Sequence, residues 1–192
     1  MTIQAGDRLP DGTLYESTDF DPATHCPMKP QTVDVAEAVK GKKIVLFAVP
    51  GAYTPLCSAQ HLPGYVASID TFKAKGVDEV WCLAVNDGFV MASWGRELGA
   101  GGKVRMMADG SAEYSAKLGL EMDLTAKGMG LRSNRYAMLV RPLESSKSPT
   151  PKPSWRSSEF VLGSAGAMRR WSGPGRYPGR KTARVFRGPP AV

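Results

Sequence analysis

Cysteine is scarce in this chain: Cys26, Cys57 and Cys82 are the whole supply among 192 residues. Three scattered thiols cannot build a disulfide framework, and none has the close partner of a zinc pair. Also missing is an apolar run of membrane-spanning length, about 20 residues. The opening stretch Met1-Thr2-Ile3-Gln4-Ala5-Gly6-Asp7 lacks the basic and apolar regions of a secretory signal. Both absences point to a soluble cytoplasmic protein. Acidic residues are rare in one region only. Residues 141 to 192 carry no Asp and two Glu against 11 Lys and Arg, whereas residues 1 to 140 carry 16 acidic and 14 basic side chains. The formal charge of +7 therefore belongs to the tail and says nothing about nucleic-acid binding by the remainder.

The length suits one domain with a sizeable core. After a turn-rich start with a short strand near Thr13-Leu14-Tyr15, Asp34 to Lys40 reads as a short helix, acidic early, basic late and stopped by Gly41. Ile44 to Val49 is a buried strand by its β-branched and aromatic content, closed by Pro50-Gly51. A helical apolar period, Tyr65, Val66, Ile69 and Phe72, runs to Lys75-Gly76. Strand and helix then alternate: a strand over Glu79 to Val85, a helix over Phe89 to Leu98, a strand over Lys103 to Ala108, a helix over Ala112 to Leu118, and a last strand over Arg135 to Val140. Such alternation implies an α/β sandwich with helices covering a sheet.

One stretch invites chemistry. The residues Pro50-Gly51-Ala52-Tyr53-Thr54-Pro55-Leu56-Cys57-Ser58-Ala59-Gln60-His61 join the first central strand to a helix, which puts Cys57 in that helix's first turn. Unpaired N–H groups and the positive end of the helix dipole favour an anion there, so a thiol so placed ionises more easily than a free one. Thr54 supplies a hydroxyl three residues earlier, and Pro50 a wall. Arg135, with Arg132 nearby, begins the last strand and is the candidate cation. On spacing alone, Cys57 is equally readable as a small buried hydrophobe and Arg135 as a surface charge.

The segment from Pro50 to Ser58, followed by His61-Leu62-Pro63-Gly64-Tyr65, resembles the Pro-x-x-x-Thr-x-x-Cys active-site motif of peroxiredoxins, specifically the type-five subfamily. Val85-Asn86-Asp87-Gly88-Phe89-Val90 with Trp94-Gly95-Arg96 is similar to the next family block. Gly102-Lys103-Val104-Arg105, Ala108-Asp109 and Arg132 to Met138 are similar to the one after. The resemblance covers about residues 3 to 140. It implies a thioredoxin-like three-layer sandwich, a central mixed sheet covered by helices, and reduction of hydrogen peroxide or organic hydroperoxides without metal or organic cofactor. It also implies that Cys57 is the peroxidatic cysteine, which becomes a sulfenic acid, while Thr54 holds thiolate and peroxide. By the same resemblance Arg135 favours the thiolate and polarises the O–O bond, and Pro50 shields the site. A homodimer is expected on the same ground. Because the tail supplies no cysteine, an outside thiol such as glutathione, glutaredoxin or thioredoxin is the expected reductant. Cys26, in an exposed-looking loop, is a candidate disulfide partner of Cys57, and Cys82 reads as buried and inert. His61, four residues after Cys57, invites a cysteine–histidine reading, against the plainer one of a hydrogen bond to backbone or to a partner subunit.

The tail departs from the family. Residues 141 to 192 hold 8 of the 15 prolines and are rich in Ser, Gly and Arg, a composition expected to stay disordered because it buries too little apolar surface to offset its ordering entropy. The competing reading is a redox-dead domain, residues 1 to 140, whose basic tail with Trp155, Trp171, Tyr177 and Phe186 binds nucleic acid or another acidic partner. Relatives continue with a Gly-Val-Val-Lys-like strand and a closing helix. Leu143 to Lys147 can be encoded CTG GAG TCG TCA AAG, and the same bases read from the third position give Gly-Val-Val-Lys. The hypothesis is a shifted reading frame; whatever the origin of the tail, lower stability or self-association than in a complete relative is expected. Sequencing the gene across the codons for Met138 to Lys147 tests the frame shift; an uninterrupted frame encoding an unrelated ending in close relatives overturns it.

Overall fold

The computed structural model describes residues 1–142. The expected disorder of the tail, its reading-frame hypothesis and its aromatic residues lie outside the described residues. Eight strands are present among those described: β1 (Thr13–Glu16), β2 (Gln31–Asp34), β3 (Ile44–Ala48), β4 (Glu79–Ala84), β5 (Arg105–Ala108), β6 (Glu121–Leu124), β7 (Gly130–Ser133) and β8 (Tyr136–Val140). The helices are α1 (Val35–Ala38), α2 (Leu62–Ala67), α3 (Ile69–Ala74), α4 (Gly88–Glu97) and α5 (Glu113–Lys117), and a π turn spans Cys57–His61. Six strands form one mixed sheet in the order β2-β1-β5-β4-β3-β8, while β6 and β7 form a separate antiparallel pair. No helix among the described residues is long and apolar enough to cross a membrane.

Strand alternation sorts the core onto two faces, because successive side chains of a strand point to opposite sides. Val45 and Phe47 of β3, Val80, Cys82 and Ala84 of β4 and Met106 of β5 pack with Cys57, Leu62, Ile69, Phe72 and Trp94, under α2, α3 and α4. The alternate residues, Ile44, Leu46, Trp81, Leu83 and Met107, pack with Val35, Tyr114 and Leu118, under α1 and α5. The result is the three-layer, thioredoxin-like arrangement. All five residues of β3 are buried, as their unbroken apolar run required.

Four local features differ from the expectation. The helix read over residues 34 to 40 is only α1, capped by Asp34, whose carboxylate accepts from the Glu37 N–H at 3.0 Å. The residues just before it pair with β1 as the edge strand β2, whose polar, exposed Gln31 and Thr32 carry no period-two apolar pattern. The helical period through Phe72 is interrupted at Ser68, and the β6–β7 pair, with its half-exposed strands, was not foreseen.

A charged cluster ties the sheet together from the other end. Arg105 on β5 pairs with Glu16 on β1 and at 3.0 Å with Glu79 on β4, and its guanidinium lies 5.1 Å from the centre of the Trp81 ring. Glu79 also accepts from Lys42 at 2.6 Å and from the Trp81 indole at 2.7 Å. Burial pushes the Glu79 carboxyl up, but these donors outweigh it and hold it below its usual range.

The register of β8 is what positions the site. β8 runs antiparallel to β3 with Tyr136 opposite Ala48, so its first residues lie at the C-terminal end of β3, where the chain leaves for Cys57. Ala137 packs against the Cys57 cluster and Tyr136 belongs to the opposite one. Arg135, two residues before Ala137, therefore starts on the face that carries Cys57.

Candidate active site

The turn after β3 is built to a tight plan. Val49 is buried and its N–H donates to the Leu83 carbonyl, carrying the chain along β4 to Pro50, which is half-buried. The Ala52 N–H donates to the Asn86 side-chain oxygen at 2.9 Å, linking this turn to the end of β4. Tyr53 follows with φ 58, a left-handed conformation uncommon for a residue with a side chain. Thr54 closes the turn: its hydroxyl donates to the Gly51 carbonyl at 2.9 Å, and its carbonyl accepts from the Ser58 N–H at 3.0 Å. Pro55 and Leu56 open the helical segment. The N–H groups of Leu56 and Cys57 thus fall in its first turn, with no carbonyl of the same helix behind them.

Cys57 is the first residue of the π turn, whose extra residue is closed by the Leu62 N–H donating to the Cys57 carbonyl. Its side chain is fully buried. The Arg135 guanidinium reaches it, with Nη2 donating to Sγ at 3.5 Å, and Nη1 of the same group lies 2.7 Å from Nδ1 of His61. A guanidinium can only donate, so Nδ1 must present its lone pair and the ring proton sits on Nε2. Burial first, and the Arg135 charge second, push the His61 pKa from 6.5 down to about 4, which keeps the ring neutral at physiological pH.

The surroundings hold this group in place. The Trp94 indole on α4 donates to the Ser58 hydroxyl at 3.0 Å, fastening the π turn from the side. Tyr65 stacks face to face on Phe47 with ring centres 3.7 Å apart, one turn beyond His61. Arg132 donates to the Met129 and Val85 carbonyls and lies against Gly51, where an added Cβ would stand 2.8 Å from its Nη1. Of the other thiols, Cys26 is exposed and Cys82 buried, and all three cysteines are free. Burial, with a smaller contribution from Cys57, raises the Cys82 thiol well above the ordinary cysteine range, leaving it protonated.

Of the residues singled out in the sequence, Cys57 and Arg135 are brought into contact, Thr54 braces the turn before the thiol, and Pro50 stands at the start of that turn. Two contributors were not given these roles. Asn86 was quoted only as part of a motif, and nothing local marks it as the acceptor for Ala52, 34 residues away. His61 was noticed through its spacing from Cys57, but its partner is Arg135, 74 residues on.

The Redoxin family matches residues 4–142, and Peroxiredoxin-2D of Arabidopsis thaliana is 45% identical over 142 residues, 74% of this chain and 83% of that protein. The chain belongs to the peroxiredoxin family. Among solved structures, reduced Prx3 of Vibrio vulnificus in complex with hydrogen peroxide superposes with a TM-score of 0.66 at 43% identity, covering 78% of this chain and 92% of that one. A Burkholderia cenocepacia protein described as a putative thioredoxin reductase gives 0.68 at 54% identity, over 73% and 82% of the two chains. As a peroxiredoxin, the chain is a thiol-dependent peroxidase with a thioredoxin-like fold.

The depressed His61 pKa has a measurable consequence. Between pH 6.5 and about 4 the unfolded chain takes up a proton on His61 that the folded chain refuses, so stability is lost as pH falls through this window. Urea unfolding of the parent and of His61→Asn, followed from pH 7.5 to 4, should show a shallower decline for the variant. Parallel curves would mean that His61 is not the group responsible.

Proposed function

We propose that the domain of residues 1 to 140 reduces hydrogen peroxide and small organic hydroperoxides at Cys57, with Arg135, Thr54 and Pro50 as its catalytic partners. The single observation that carries this reading is the 3.5 Å contact between the Arg135 guanidinium and the buried Cys57 sulfur. The thiolate attacks the terminal peroxide oxygen along the O–O axis. An S–O bond forms, the O–O bond breaks, and the departing oxygen leaves as water or an alcohol once it has taken a proton. Cys57 becomes a sulfenic acid, oxidised by two electrons as the peroxide is reduced by two. Arg135 places positive charge where the departing oxygen becomes anionic, as do the first-turn N–H groups. Thr54 spends its own proton on Gly51, so its oxygen keeps lone pairs to accept the peroxide O–H. Pro50 limits water at the sulfur.

An external thiol completes the cycle. It condenses with the sulfenic acid to a mixed disulfide and water, and a second thiol releases Cys57 as the disulfide of the two reductants. Glutathione, a glutaredoxin or a thioredoxin fits this role, and the exposed Cys26 is not required. The cytoplasm is the compartment we propose for it.

With a thiol donor in excess, Cys57→Ser should abolish peroxide consumption. Arg135→Ala should lower kcat/KM by about 10²–10³, the loss typical of one electrostatic donor at a reacting centre. Turnover that survives Cys57→Ser would defeat this assignment.

A homodimer is the assembly we infer. Tyr53, Leu56 and Phe89 are large apolar side chains left exposed on the segments flanking the Ala52–Asn86 hydrogen bond, and covering such a surface is favourable. Sedimentation of the parent should give twice the chain mass, and Leu56→Glu should shift it toward the monomer. A monomeric parent at micromolar concentration would refute the dimer.

A further inference from the structure

The charged group against the reactive sulfur among the described residues is Arg135, a long side chain with several free torsions. Holding an arginine in one rotamer costs up to about 2 kcal/mol of side-chain entropy, and a single contact of 3.5 Å to sulfur is a weak restraint. The guanidinium is a planar fork, however, and its second prong is held. Nη1 meets His61 Nδ1 at 2.7 Å while Nη2 meets Cys57 Sγ. Two anchors on one rigid plane determine where the plane points.

Both anchors come from the same π turn. Cys57 opens it and His61 closes it, so a shift of this turn carries them together and the fork keeps its aim. We propose that His61 is a positioning residue, whose Nδ1 lone pair orients the Arg135 guanidinium toward the Cys57 sulfur. This deepens the peroxidase reading and rests on it, since the aimed group is the one assigned to stabilise the developing charge.

The role requires a neutral ring, and the surroundings supply one. The charged group acting on His61 is Arg135, from the link between β7 and β8, and burial works in the same direction. On its own segment the titratable groups are Cys57, one turn before, and Tyr65, one turn after. Among the described residues no carboxylate forms an ion pair with the ring. A protonated imidazole would set a hydrogen against the guanidinium, and the fork would lose this anchor.

Five variants test the proposal with two readouts, iodoacetamide alkylation of Cys57 at pH 7 followed by mass spectrometry, and kcat/KM for hydrogen peroxide. His61→Asn keeps an acceptor oxygen near the Nδ1 position, whereas His61→Leu and His61→Phe keep the bulk without an acceptor. Either apolar variant suffices if its near-ultraviolet circular dichroism matches the parent. Each should alkylate and turn over about tenfold more slowly, the scale of one lost hydrogen bond to a charged group, and His61→Asn should stay within about threefold. In an Arg135→Ala background, His61→Leu should have little further effect, because a residue that acts through another has nothing left to act on. Apolar variants that alkylate at the parent's rate would overturn the proposal. So would an Asn variant as slow as Leu, or effects of His61→Leu and Arg135→Ala that add in full. The alkylation arm involves no peroxide, so a parent that lacks peroxidase turnover would defeat the peroxidase reading and still leave this geometry tested.

Discussion

A cation shared between sulfur and imidazole is the contact on which the other features of this site converge. Cys57 is buried among Phe47, Cys82 and Trp94, surroundings that would leave a thiolate poorly solvated. Arg135 is the charged group that reaches it, with Nη2 3.5 Å from Sγ. The same burial that makes an unpaired anion costly also strengthens its interaction with a correctly placed cation. Stability and reactivity thus meet in one pair of atoms.

The sheet exists in the right form to make that pair. Arg135 and Cys57 are 78 residues apart, and only the antiparallel pairing of β8 with β3 brings them together. A slip of one residue in that register would send Arg135 to the opposite face. The register is held by two apolar surfaces at once, since Ala137 and Met138 contribute to opposite cores. Asn86 at the end of β4 and Trp94 on α4 restrain the intervening turn. β4, α4 and β8 thereby converge on the segment that follows β3.

Much of this was legible in the chain. The unbroken apolar runs of β3 and β4, and the turn residues after Val49, announce a strand, a turn and a helix start without further help. The motif around Cys57 named the family, and the resemblance drew attention to Thr54, Arg135 and Pro50, of which Arg135 lies against the Cys57 sulfur. What stayed hidden depends on distance. β2 owes its form to a neighbour, for Gln31-Thr32 has no apolar alternation of its own, whereas β6 does alternate, Glu121-Met122-Asp123-Leu124, but over only four residues that its pairing with β7 has to complete. His61 looked like a partner for Cys57 because spacing along a helix is visible in sequence. That its ring nitrogen faces a guanidinium from the far end of the chain is a tertiary fact, and so is the Thr54 hydroxyl's attachment to Gly51.

The π turn has a consequence for traffic through the site. A sulfur with no exposed surface can be met by a molecule of a few atoms, but a mixed disulfide with a second protein requires backbone to move aside. The five residues Cys57–His61 form the irregular part of the helix, and unwinding them would separate Cys57 from the His61 end of the fork. In the proposed cycle a small peroxide would meet the closed turn and a bulky donor would need an open one, so the two half-reactions would ask for two shapes of the same five residues.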